Sequence, residues 1–164
     1  DKKHFDQLFP EGSENRIGLT NLIRHVKLIM DSQALSHLSP RQIRELLATS
    51  EFKEFQVGEQ LIKEGDIGDA AYLMASGRVK IESSKESAPI AELSRGELVG
   101  ATALVNEIPR TASVTAVEAG KWLRIDKPTF LRMCMSNMFV AMLVSDLSQG
   151  QIDQGNKGGV DVSK

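Results

Sequence analysis

Between Glu51 and Ser84 the chain is cut by glycines at 58, 65, 68 and 77, with the short runs EFKEF, QLIKEG, AAYLMA and GRVKIES between them. Short apolar runs with turn residues every eight to twelve positions read as strands of an all-β sandwich or barrel. SSKES (83–87) reads as a hairpin tip from which APIAEL returns. Further on, TASVTAVEAGKWLRID reads as two more strands around a turn at EAG. In the second of them Leu123 and Ile125 alternate with Trp122 and Arg124, as on a strand with two different faces. About eight short strands result.

The hydrophobic period differs on either side of this segment. Residues 1–18 read as a polar lead-in, with PEGSENRIG as turn material. LTNLIRHVKLIM (19–30) carries apolar residues at Leu19, Leu22, Ile23, Val26, Ile29 and Met30, a helical stripe with Thr20 or Asn21 as a weak cap. SHLSPRQIRELLAT (36–49) predicts a second helix, capped by Ser39, started by Pro40 and buried through Ile43, Leu46 and Leu47. Asp126 and Pro128 start a third. TFLRMCM and FVAMLVSDL read as two helical pieces broken near Ser136–Asn137, and the Gly-rich segment 149–164 reads as a flexible tail. The expected fold is therefore α+β: an eight-stranded antiparallel β-roll, jelly-roll-like, over 51–126. N-terminal helices over 19–50 and C-terminal helices over 127–148 flank it.

A chain of 164 residues suits one domain with a real core. It begins at Asp1 and reads as a cut-out of a longer protein, with no signal peptide expected. Its formal charge of −2 offers no basic field, so direct nucleic-acid binding is not expected. Its richest apolar stretch, FVAMLV (139–144), falls far short of the roughly 20 residues that span a bilayer. Cys134 is the single cysteine, which favours a reducing, cytoplasmic setting and core filling over nucleophilic chemistry. His4, His25 and His37 lack metal-ligand spacing. With no nucleophile–base pair or paired carboxylates in view, no enzyme, metal or cofactor is expected.

The chemistry concentrates in GELVGATALVNEIPRTASV (96–114). Gly100 permits close backbone approach to a ligand. ATALVN gives a short helix whose first N–H groups, after Gly100, suit an anion. Pro109 fixes a turn, and Arg110 presents a planar fork suited to phosphate oxygens. Thr111, Ala112 and Ser113 are small enough to let a ligand lie against the chain. The same residues also describe a surface link with a solvated arginine, and the chemistry alone leaves both open.

Over residues 35–148 the sequence resembles the cyclic-nucleotide-binding domains of catabolite activator proteins and cyclic-AMP-dependent kinase regulatory subunits. VGEQLIKEGDIGDAAYLMASGRVKI carries that family's glycine framework at Gly58, Gly65 and Gly77. RGELVGATALVNEIPRTASV resembles its phosphate-binding cassette, Phe-Gly-Glu-x-Ala-Leu followed by Pro-Arg-x-Ala. The resemblance implies that Gly100, Ala103, Leu104, Arg110 and Ala112 hold family positions, with Arg110 on the cyclic phosphate. It places Val99 at the aromatic position and Ala101 where the family's glutamate takes the ribose 2′-hydroxyl. A second register, with Gly96 and Glu97 as the Gly-Glu pair, needs four extra residues before Arg110 and makes Glu97 a turn residue in the favoured alignment.

The resemblance implies a non-catalytic regulatory sensor. Val99, Gly100, Ala101, Thr102, Ala103, Arg110, Thr111 and Ala112 would contact the ligand. That ligand would be cyclic AMP or cyclic GMP held weakly, or a cyclic dinucleotide. B- and C-type helices at the C-terminus, carrying Met133, Met135, Met138, Phe139 and Met142, would relay binding to another domain or pair with a second copy; Met133 reads as core packing, and the stretch from Met138 onward leaves core packing and a lid or partner contact both open. The alternative is a degenerate fold of the same family that serves as a ligand-free interaction or dimerisation module.

Overall fold

The strongest local signals sit at the helix starts. In the computed structural model, which describes residues 2–8 and 10–156 and their side chains as far as Leu147, helices α1 (Lys2–Leu8), α2 (Glu14–Asp31) and α3 (Pro40–Thr49) come first. Ser39 caps α3 with both halves of a capping box: its Oγ accepts from Gln42 N–H at 3.3 Å, and Gln42 Oε1 accepts from Ser39 N–H at 2.9 Å. The helix begins at Pro40, the first helical position that the sequence indicates. The start of α2 departs from expectation. Ser13, not Thr20 or Asn21, is its N-cap and accepts from Arg16 N–H at 3.3 Å. The supposed lead-in is thus helical over most of its length. Its apolar stripe is also only half used: Leu28 and Ile29 are buried, whereas Leu22, Ile23 and Met30 are 50%, 58% and 59% exposed.

The strands follow: β1 (Glu51–Phe55), β2 (Gln60–Ile62), β3 (Ala70–Glu82), β4 (Ala91–Leu93), β5 (Leu98–Val99) and, after helix α4 (Ala101–Val105), β6 (Ser113–Asp126). They form one antiparallel sheet in which β3 and β6 pair along almost their whole lengths. Two expected boundaries are absent. Neither Gly77 nor the EAG stretch ends a strand; instead the β3–β6 register shifts between Met74 and Val79. These bulges bend both strands. The first half of β3 pairs with β5 and its second half with β4, while β6 pairs with β2 and then with β1. Six strands therefore supply the eight legs of the roll.

The alternation along β3 and β6 separates two cores. Ala71, Leu73, Leu123 and Ile125 face the helices and pack with Leu35, Leu46, Leu104, Phe130, Val140 and Val144. Met74, Val79 and Trp122 face the interior of the roll with Phe55, Val99 and Val114. Tyr72 stacks on Trp122 there, with ring centroids 4.0 Å apart. Each fully buried large apolar side chain contributes about 1.5–3 kcal/mol, so the faces of these two strands hold the domain together.

Asp126 caps α5 (Lys127–Ser136), accepting from Thr129 N–H at 2.8 Å. Helix α6 (Met138–Asn156) meets it at 117°. The break falls at Asn137, as the sequence suggested. The Asn137 side chain accepts from Val140 N–H at 3.2 Å and donates to His37 C=O at 3.0 Å and Gln42 Oε1 at 3.2 Å. Gln42 Nε2 in turn donates to Ser136 Oγ at 3.0 Å. The bend is thereby tied to the first turn of α3. Helix α6 enters the stretch read as a flexible tail and runs to Asn156, and residues 157–164 lie outside the described residues. Among the described residues no single helix is long and apolar enough to cross a membrane.

Candidate functional site

Gly100 ends β5 and caps α4 with φ 80° and ψ 7°, a left-handed conformation that glycine adopts without strain. The chain turns there so that α4 starts beside the open end of the roll. Five residues later α4 closes in a Schellman arrangement: Asn106 N–H donates to Thr102 C=O at 3.1 Å, and Ile108 N–H to Ala103 C=O at 3.2 Å. Glu107 stands between them at φ 53°. Pro109 then delivers Arg110 under the roll.

The Arg110 backbone is strapped to the loop before β3, donating to Asp66 C=O and accepting from Gly65 N–H, both at 2.8 Å. Its side chain is buried, with residue exposure of 6%. One terminal nitrogen donates to Gly100 C=O at 2.7 Å and the other to Ala70 C=O at 2.6 Å. A guanidinium carries five N–H donors; the other three have no partner among the described residues. Burial pulls the Arg110 pKa below its ordinary value, opposed by Tyr72, Asp69 and Asp66. Asp69 itself pairs with Arg124 at 2.8 Å. Arg110 is thus a desolvated cation held by carbonyl dipoles, and an anion reaching it meets little competition from water.

This guanidinium forms one wall of a cavity of about 80 Å³. Aliphatic side chains of Ile62, Ile81, Ile90, Val99 and Val114 make most of the remainder. The structure brings seven of the eight sequence candidates together there: Val99, Gly100, Thr102, Ala103, Arg110, Thr111 and Ala112. Ala101 is the exception. It is 7% exposed and packs in the helical core with Leu104, Val140 and Val144 rather than lining the cavity. Glu97 is a turn residue, accepting from Ser94 N–H at 2.7 Å and Ser94 Oγ at 3.3 Å, so the Gly96 register brings no carboxylate to the cavity.

Gly68 was legible only as turn punctuation. It lies against the arginine: a Cβ there would sit 3.1 Å from Arg110 Cζ and 3.2 Å from Leu104 Cδ2. The aliphatic wall from β2 and the hairpin return gave no signal either, because Ile62, Ile81 and Ile90 look like ordinary strand residues. A larger cavity of about 310 Å³ lies between α3 and α5, around Leu46 and Met133. Its cation, Arg132, is half-exposed and sits 3.7 Å from Glu45. The smaller cavity is the better anion site, because its cation is buried and makes no ion pair among the described residues.

The remaining expectations resolve simply. Met133 is buried, whereas Met135, Met138, Phe139 and Met142 are exposed. Cys134 is half-buried and its thiol is pushed up to about 11, so it is not a thiolate at neutral pH. His25 stacks on Phe52 at 4.1 Å and His37 on Phe139 at 5.5 Å, and no metal-binding cluster occurs among the described residues.

The sequence pattern of the cyclic nucleotide-binding domain matches residues 52–137. The cGMP-dependent protein kinase, isozyme 1, of Drosophila melanogaster is 29% identical over 140 residues, covering 81% of this chain and 17% of the kinase. The cAMP-dependent protein kinase regulatory subunit of Emericella nidulans is 34% identical over 99 residues, covering 60% of this chain and 24% of the subunit. The chain thus spans about a quarter or less of the length of these relatives. The regulatory subunit of a cAMP-independent protein kinase A from Trypanosoma brucei shares the fold, with a TM-score of 0.69 at 20% identity over 78% of this chain and 47% of that one. Since the fold occurs in a cAMP-independent protein too, the ligand has to be argued from the cavity.

Proposed function

This chain belongs to the cyclic nucleotide-binding domain family, which it matches over residues 52–137, and we propose that it is a non-catalytic regulatory sensor. A cyclic nucleotide places its phosphate on Arg110, and the terminal helices pass the change to another domain of a longer protein. The observation that carries this reading is Arg110 itself, a buried cation at a cavity wall whose side-chain hydrogen bonds among the described residues go to two main-chain carbonyls and to no anion. Burying a cation without an anion is costly, and its position suits a phosphodiester. The relatives' names make cAMP and cGMP the first ligands to test. A cavity of about 80 Å³ is small beside ordinary ligand pockets of roughly 300–1,000 Å³. It takes the phosphate end of a mononucleotide better than it takes a cyclic dinucleotide.

The packing supports the relay. Helix α4, which carries the cavity wall, shares its core with α6 through Leu104, Val140 and Val144. A ligand that binds one arrangement of α4 and α6 better than another shifts that arrangement by its differential affinity. The bonds of Gln42 to Ser136 and Asn137 tie the start of α6 to α3 in the arrangement seen here.

One observation favours a second reading. Arg110 is already bonded to two carbonyls, and Met138, Phe139 and Met142 are exposed on α6. A ligand-free interaction or dimerisation module would look the same. Calorimetric titration of cAMP, cGMP and cyclic di-GMP into the chain, beside Arg110→Ala and Arg110→Lys, separates the two. The sensor reading predicts saturable binding that weakens about 10- to 100-fold in Arg110→Ala, the loss of a charge-assisted hydrogen bond. The lysine variant keeps the charge should the alanine variant fold poorly. Absence of heat up to millimolar ligand supports the interaction module.

A further inference from the structure

The cavity can hold an anion, but it offers a ligand hydroxyl no charged acceptor: among the described residues no acidic or amide side chain lines it. The two main-chain carbonyls nearest Arg110, those of Gly100 and Ala70, already accept from the guanidinium. Ala101, at the N-terminal turn of α4, is packed into the helical core with Val140 and Val144. The remaining polar side chains are the neutral hydroxyls of Thr102 and Thr111, set among aliphatic walls.

We infer that this cavity reads the cyclic phosphate and the apolar bulk of its ligand but not the sugar 2′-hydroxyl, so that ribose and 2′-deoxyribose cyclic nucleotides are bound alike. The inference rests on the reading of Arg110 as the phosphate site and concerns what the rest of the cavity selects. A hydroxyl taken from water needs an acceptor or loses affinity. A deoxy sugar presents only carbon at that point, which suits a wall of isoleucine and valine.

The comparison of the two ligands is made on the native chain. Dissociation constants for cAMP and 2′-deoxy-cAMP are measured by calorimetry under one set of conditions, with Arg110→Lys as the control for the phosphate contact. The expected ratio of the two constants is near one, or favours the deoxy compound. A charged acceptor for the hydroxyl is worth at least about tenfold, so cAMP bound more than about tenfold tighter overturns the inference while leaving Arg110 as the phosphate site. Binding of neither compound overturns both the inference and the sensor reading.

Discussion

Glu107 stands in the left-handed region at φ 53°, where a side chain with a Cβ is strained. It is the residue after the C-cap of α4, and the loop it closes delivers Arg110 to the cavity. Natural helices most often place glycine at this position. Glu107→Gly is therefore expected to stabilise the domain by about 0.5–1 kcal/mol, a rise of about 1–4 °C in Tm. Thermal unfolding followed by circular dichroism checks this, and a lowered Tm would show that the glutamate side chain makes a contribution larger than its strain. At this scale the sequence was legible where chemistry is local. Gly100 and Arg110 declare themselves through a turn and a fork of donors. Gly68 does not, because its role is to leave room for a side chain 42 residues away (110 minus 68). Ala101 misled in its own way: a place in the cassette does not fix which way a side chain points, and here the helical core encloses it.

Helices α5 and α6 are joined by one residue and bent by 117°. Asn137 both caps α6 and ties the bend to α3, through His37 C=O and Gln42 Oε1. Its replacement by alanine removes a cap and two cross-links at once. The expected cost is about 1–2 kcal/mol, and amide exchange should quicken in the first turns of α6 while β3 and β6 stay protected. Unchanged exchange in α6 would show that the packing of Val140 and Val144 alone fixes the bend. The capping residues Ser39 and Asp126 and the break near Asn137 were readable, since each depends on a few neighbouring residues. The two long strands were not. Gly77 and Gly120 look like turn residues, yet they sit within bent strands whose continuity is set by partners far away in sequence. Helix α2 was shortened for the opposite reason, because a polar opening obscured a good cap at Ser13.

Across the whole molecule, two strands with different residues on their two faces make two cores, one under the helices and one inside the roll. The alternation of Leu123 and Ile125 with Trp122 and Arg124 announced that division; the inward placement of Arg110 and the aliphatic lining of its cavity needed the full fold. On the sensor reading proposed above, this buried guanidinium takes up a phosphate. A structure of the chain crystallised with saturating cAMP or cGMP is the decisive test. Phosphate oxygens are expected within about 2.7–2.9 Å of Arg110 nitrogens, in the cavity lined by Gly100, Thr102 and Ala103. A cavity without nucleotide, Arg110 still bonded only to the carbonyls of Gly100 and Ala70, would contradict that reading.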